Sequence, residues 1–105
     1  MIDYNIEFTK GILFVRLIGI LNKKNESNIE NDIYEIIKDG GIRHLVFNLE
    51  DLEVEDEVNL FINCENIIKS NNGKMIICGS YNGNYINNFN YVDDELCAIR
   101  ELSIC

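Results

Sequence analysis

The chain opens with a regular alternation of apolar and polar residues. Apolar side chains occupy every second position from Ile2 to Phe8, and a period of two is typical of a strand with one buried face. Residues 9–11 then supply a turn that contains Gly11, and residues 12–18 are almost entirely apolar. The pattern predicts a β-hairpin at the start of the chain.

Two later segments have the apolar spacing of amphipathic helices. The first follows Ser27 and Glu30, which have the form of a capping box, and ends at the glycines of residues 40–41. Its apolar face is formed by Ile29, Ile33, Ile36 and Ile37. The second ends at Asn72 and Gly73, and its apolar face is formed by Leu60, Phe61, Cys64, Ile67 and Ile68.

Short apolar runs at residues 44–49 and 75–78 have the composition of strands covered on both faces. Residues 89–92 favour a last edge strand, and a closing helix begins at Asp93, Asp94 and Glu95, where acidic side chains suit the positive end of the helix dipole. Strands that alternate with helices through short connections imply right-handed crossovers. We therefore predict an α/β fold with a mostly parallel sheet, in one domain over residues 1–105.

Composition narrows the function classes. The formal charge of −9 disfavours nucleic acid and anionic membranes as partners, and suits a basic protein surface or solubility alone. No apolar run is long enough to span a bilayer and no signal peptide opens the chain, so we expect a cytoplasmic protein. The four cysteines have no zinc-like spacing; three are expected to be packed thiols, and the terminal Cys105 could be reactive. We expect no metal, no other cofactor and no catalytic residue.

Three segments resemble the STAS domain family, in particular its anti-sigma factor antagonists. They are VRLIGIL at residues 15–21, IRHLVFNLEDL at residues 42–52 and GKMIIC at residues 73–78. They are similar to the family's second strand, to its central strand with the turn into the regulatory loop, and to the next buried strand. The resemblance implies the STAS fold and a role in binding a protein partner.

The chain departs from the family at the regulatory loop. There the family typically reads Asp-Ser-Ser-Gly, and a kinase phosphorylates one serine at the start of a helix, which disrupts docking to that kinase. The corresponding residues here are Asp56, Glu57, Val58 and Asn59. Glu57 and Val58 stand where the family has its serines, and Asn22 replaces an aspartate after the second strand. The resemblance implies a partner-binding face formed by Asn22, Lys23, Lys24, Asp56, Glu57, Val58 and Asn59.

Six carboxylates lie within residues 50–57, which we interpret as an acidic loop with three possible roles. It could be solvated, with its last acids favouring the start of the second helix. Glu57 could instead hold a fixed negative charge where the family places phosphate. The cluster could also bind a divalent cation, although the spacing of a calcium loop is missing.

We therefore expect a non-enzymatic bacterial regulator, active in sporulation or stress signalling, that is a monomer or weak homodimer. Its partner would be a protein, and the resemblance implies an anti-sigma factor of the serine-kinase type. The alternative is a structural or assembly subunit in which the same fold packs against copies of itself or larger proteins without switching.

Overall fold

One five-stranded sheet with three helices forms the part of the chain described by a computed structural model, which covers residues 2–55, 57–79 and 89–102. The elements in chain order are β1 (Ile2–Thr9), β2 (Ile12–Leu21), α1 (Glu26–Gly40), β3 (His44–Val54), α2 (Leu60–Ser70), β4 (Lys74–Cys78), β5 (Tyr91–Val92) and α3 (Glu95–Leu102). The strands lie side by side in chain order, with β1 antiparallel to β2 and every other pair parallel. The predicted α/β fold with a mostly parallel sheet and an N-terminal hairpin is confirmed.

The turn between β1 and β2 consists of two residues, Lys10 and Gly11. Both have positive φ angles, 53° and 80° respectively. A two-residue turn of this kind matches the right-handed twist of the strands that it joins. The predicted hairpin is present, but its turn is one residue shorter than predicted, because Thr9 still pairs with Ile12.

The main hydrophobic core lies between one face of the sheet and the helices α1 and α2. Every second residue of the central strands points into it, among them Val15, Phe47 and Ile77, all fully buried. The ring of Phe47 packs edge-on against Phe61 of α2, with 5.0 Å between the ring centroids. The apolar face of α1 is narrower than predicted, because Ile36 is exposed while Ile29, Ile33 and Ile37 are buried.

A smaller apolar cluster lies on the opposite face, under α3. Strand residues such as Phe14, Val46 and Ile76 pack there against Ala98 and Leu102. The second core is shorter than the first because α3 has only 8 residues. Among residues 2–55, 57–79 and 89–102, nothing covers the part of this face that α3 does not reach.

The predicted acidic loop at residues 50–57 is wrong for residues 50–54, since β3 continues to Val54. A bulge makes this possible: Arg16 pairs with Asn48 and Ile18 pairs with Asp51, so two residues of β3 lie opposite one residue of β2. Strict alternation after Leu49 would send Asp51 into the core. The extra residue instead turns the acids outward and buries two apolar side chains, those of Leu52 and Val54.

The predicted capping box at Ser27 and Glu30 is also wrong. With Ser27 as N-cap, α1 would begin at residue 28; it begins two residues earlier, at Glu26, because the backbone carbonyl of Asn22 already accepts the N–H of Glu26 at 3.1 Å. Ser27 is therefore an exposed residue inside the first turn. The end of the helix is as predicted, with Gly41 in the left-handed conformation at φ 59°.

Helix α2 also ends where the sequence predicted. Asn72 has a φ of 60°, and the N–H of Gly73 donates to the carbonyl of Ile68 at 2.8 Å. A side chain at residue 73 would place its Cβ 1.8 Å from the carbonyl oxygen of Arg43. Only glycine allows this close approach between the start of β4 and the chain before β3.

The predicted edge strand near the C-terminus is confirmed as β5, which pairs in parallel with β4. The predictions on Asp56 and Cys105 fall outside the described residues. Across the described residues, no helix combines the length and apolar content needed to cross a membrane.

Candidate functional site

Of the predicted partner-binding residues, all except Asp56, which lies outside the described residues, are in the two connections that follow β2 and β3. Because these strands are parallel and paired to their last residues, Leu21 and Val54, their connections leave the sheet side by side. The N–H of Glu55 donates to the carbonyl of Leu21 at 2.9 Å, and the side-chain amide of Asn22 donates to Glu55 Oε1 at 3.2 Å. We call this region, residues 22–26 and 57–59, the loop corner.

Asn22 shapes the first half of the loop corner. Its side-chain oxygen accepts the backbone N–H groups of Lys24 and Asn25, at 3.0 and 3.1 Å. In turn, the side-chain oxygen of Asn25 accepts the N–H of Asn22 at 3.0 Å, and its side-chain amide donates to the carbonyl of Ile20 at 2.8 Å. This tight turn leaves the side chains of Lys23 and Lys24 exposed.

The second half of the loop corner is the start of α2. Its N-cap residue, Asn59, makes no side-chain capping bond. The backbone N–H of Asn59 instead donates to Glu26 Oε2 of α1 at 2.9 Å. One turn further along, the side-chain amide of Asn63 donates to Glu30 Oε1 at 3.1 Å. Two glutamates of α1 thus bind α2 across the helix–helix contact.

The contact at Asn59 shows that the carboxylate at the start of α2 is that of Glu26 and not the predicted one of Glu57. A helix start attracts anions because its first amides lack partners and its dipole is positive there. The sequence hypothesis assigned that position to Glu57. The carboxylate that accepts the Asn59 amide belongs to Glu26, and Glu57 is exposed.

Val58 differs from its neighbours in the loop corner because it belongs to the core. Only 9% of its surface is exposed, and it packs in the cluster under α1 and α2. Its side chain anchors the segment between β3 and α2. Among the described residues of this segment, the side chains of Glu55, Glu57 and Asn59 are exposed to solvent.

The thiols of the described residues are poor nucleophiles. Burial raises the pKa of Cys64 and of Cys78 to about 12, so both are protonated at neutral pH. Cys97 is partly exposed, and its pKa is raised by a hydrogen bond with Asp94. Within residues 2–55, 57–79 and 89–102, no three carboxylates, thiols or imidazoles are grouped as a metal site would need.

A second polar cluster joins α3 to the sheet, and sequence reasoning did not find it. Arg16 forms two hydrogen bonds with Glu95, from Nε to Oε2 at 2.7 Å and from Nη2 to Oε1 at 2.8 Å. Asn48 donates to Glu95 Oε2 at 2.8 Å, and its side-chain oxygen accepts the N–H of Glu50 at 3.0 Å in the bulge. Hydrogen bonds from Arg16 lower the pKa of Glu95 and raise that of the guanidinium.

Comparison with known proteins decides the family. The family model described as the STAS domain matches residues 3–81. The chain belongs to the STAS domain family. The resemblance seen in three sequence segments is therefore confirmed, and the match includes both halves of the loop corner.

Solved structures of anti-sigma factor antagonists are similar to this STAS domain. The unphosphorylated form of SpoIIAA is 20% identical, with 98% of this chain and 100% of that one covered and a TM-score of 0.80. The putative antagonist tm1081 of Thermotoga maritima is 12% identical, with 94% and 93% covered and a TM-score of 0.81. The phosphorylated form of the Bacillus cell fate determinant SpoIIAA is 18% identical, with 94% and 99% covered and a TM-score of 0.70. At these identities the likeness establishes the fold.

Proposed function

We propose that this STAS domain is a non-enzymatic regulatory module that docks a protein partner through the loop corner, and that phosphorylation at its α2 start does not switch it. The observation that carries the proposal is the bond from the Asn59 amide to Glu26. It supplies a permanent carboxylate at the helix start where the family's resemblance implies a modifiable serine. The two residues at the serine positions, Glu57 and Val58, have no hydroxyl.

A protein of similar fold is known in both an unmodified and a phosphorylated state. SpoIIAA has been solved in unphosphorylated and phosphorylated forms, and both are similar in fold to this chain. A carboxylate carries about half the charge of a phosphate group. Glu26 therefore holds a smaller, permanent charge at this helix start without any modification, and docking is constitutive or is controlled from outside the chain.

The exposed groups of the loop corner define the kind of partner. Lys23 and Lys24 lie on one side, and Glu57 and Asn59 lie on the other. Such a mixed surface fits a partner with paired charges of both signs, and an anti-sigma factor of the serine-kinase type is the class that the family suggests. Since exposed charges are screened by salt, binding should weaken as ionic strength rises. We place this interaction in the cytoplasm and assign it no cofactor.

The test begins with capture of a tagged chain from its native cells, followed by titration calorimetry with the purified partner. Glu57→Lys should weaken binding at least tenfold, because like charges placed opposite each other cost several kcal/mol. Asp39→Lys is the matched control: it reverses another exposed carboxylate, in the last turn of α1 away from the loop corner, and should bind like the wild type.

Two results would overturn the proposal. Equal affinities for both variants would remove the loop corner from the interface. A stable oligomer at micromolar concentration in light scattering, with Glu57→Lys dissociating it, would instead make the chain an assembly subunit.

A further inference from the structure

Helix α3 covers only part of the sheet face on which it packs. Strand residues Ile12 and Phe14 of β2 lie in the apolar cluster beneath it. Further along β2, Ile18 is on the same face, since alternate residues of a strand point to the same side. Ile18 is 44% exposed, so this end of the face has no cover among the described residues.

The strand register surrounds Ile18 with carboxylates. Asp3 of β1 pairs with Ile18 on one side, and Asp51 of β3 pairs with it on the other. The next outward pair is Ile20 with Glu53. Paired residues of neighbouring strands present their side chains on the same face. We call Asp3, Ile18, Ile20, Asp51 and Glu53 the acidic sheet patch.

The bulge in β3 produces this arrangement. Strict alternation from Leu49 would have placed Asp51 and Glu53 on the core side of the sheet. The extra residue moves both acids to the open face, where they are exposed. The acidic sheet patch is therefore a product of the fold and not only of an acidic composition.

The nearby cation does not neutralise the patch. Arg16 is bonded to Glu95 and also to Glu7, at 3.0 Å, so this group of three carries a net negative charge. Beside it lies an open depression of about 350 Å³, lined by Asn5, Arg16, Leu17, Ile18, Asn48 and Asp51. The depression is next to the exposed part of Ile18 and can receive an incoming side chain.

We propose that the acidic sheet patch is a second docking surface, which takes a basic segment of a partner protein. An aliphatic side chain of that segment would pack on Ile18, and flanking lysines or arginines would pair with Asp3, Asp51 and Glu53. Charge selects this occupant, because a second copy of the chain would bring the same carboxylates to the contact. The surface is on the opposite side of the sheet from α1 and α2, so the proposal does not depend on the function proposed for the loop corner.

The experiment is a titration of the isotopically labelled chain, followed by its amide NMR spectrum. The probe is the peptide Lys-Ile-Lys-Ile-Lys, acetylated and amidated at its ends. Saturable shifts should centre on residues 18, 20, 51 and 53. Replacing the isoleucines of the probe by serine should weaken binding about tenfold, because the apolar contact is lost.

Variants of the chain separate the patch from general attraction to an acidic protein. Asp51→Asn should weaken binding about threefold, as expected for loss of one exposed ion pair, whereas Asp39→Asn removes a carboxylate from α1 and should have no effect. Ile18→Thr keeps a β-branched residue in the strand and should weaken binding about fivefold. If Ile18→Thr shifts amide signals throughout the spectrum, that variant has changed the fold. The comparison of peptide binding by Asp51→Asn and Asp39→Asn then tests the proposal by itself.

Three outcomes would overturn the inference. The first is a set of shifts centred on the acids of α1 or on the loop corner. The second is equal binding by the two asparagine variants. Concentration-dependent shifts at residues 18, 20, 51 and 53 without peptide would mean that a second copy covers the patch.

Discussion

At the starts of α2 and α3, a carboxylate accepts a backbone N–H group, but the carboxylate has a different origin in each helix. At α3 the carboxylate belongs to Asp94, the residue immediately before the helix. Asp94 accepts the N–H of Cys97 at 2.9 Å, and this bond lowers the pKa of Asp94. At α2 the carboxylate comes from Glu26, which precedes Asn59 by 33 residues. The first arrangement is a property of a local sequence, and the second exists only once α1 has packed beside α2.

The difference has a functional consequence. The start of α3 is also hydrogen-bonded to the sheet, since Glu95 accepts hydrogen bonds from Arg16 of β2 and Asn48 of β3. At the start of α2, the carboxylate belongs to a side chain of another helix. We therefore expect the polar bonds of Glu95 to contribute strongly to the packing of α3 on the sheet. We expect α2 to be held mainly by the hydrophobic core, with Glu26 supplying the negative charge at its start.

The largest expected effect is at α3. Glu95→Ala leaves Arg16 and Asn48 without their shared acceptor in a site where both ionic side chains are less than a third exposed. We expect the free energy of unfolding to fall by about 2 kcal/mol, and the midpoint of thermal unfolding to fall by about 10 °C. Urea denaturation and calorimetry measure the two quantities. An effect below that of Glu26→Gln would contradict the comparison.

Acid should produce part of the same loss in the wild type. The pKa values of Asp94 and Glu95 are lowered in the folded state, so their stabilisation is present above the unfolded-state values and is lost as the pH falls through the folded-state values. The stability difference between wild type and Glu95→Ala should therefore shrink below about pH 4. Urea denaturation of both proteins at pH 7 and pH 3 measures it, and a constant difference would show that Glu95 acts through packing alone.

The smallest expected effect on stability is at α2. Glu26→Gln keeps an oxygen acceptor for the Asn59 amide but removes the charge, so we expect the free energy of unfolding to fall by less than about 1 kcal/mol. Hydrogen exchange at Asn59 should nevertheless become faster, because the backbone N–H group of Asn59 loses its charged acceptor. Glu30→Gln is the control, since Glu30 binds the side chain of Asn63. Unchanged exchange at Asn59 in Glu26→Gln would contradict the bond.

Local patterns predicted most of the fold. Alternation gave the hairpin, helical spacing gave α1 and α2, and acidic residues marked the start of α3. The end of β3 was missed because Glu50 and Asp51 are consecutive acids, which indicate a loop unless the partner strand shows that a bulge is present. Ile36 was misplaced because helical spacing does not tell how wide a face the sheet covers.

The candidate site was predictable in position but not in chemistry. Parallel strands bring Asn22 and Glu55 together at one edge, and this follows from the fold class alone. The role of Glu26 gave no local signal, because its partner is 33 residues away and is a backbone amide. The cluster of Arg16, Asn48 and Glu95 was missed for the same reason, since its members come from three separate elements.

The bulge in β3 also affects how related chains should be compared. One residue more or less at positions 49–50 would exchange inside for outside over the remainder of the strand, so length there matters more than identity. Relatives could gain or lose an acidic outer surface by a single insertion or deletion, without any substitution. Aligning chains of this family therefore requires that a gap be placed by strand pairing, because a shift of one position would match buried leucines to exposed carboxylates.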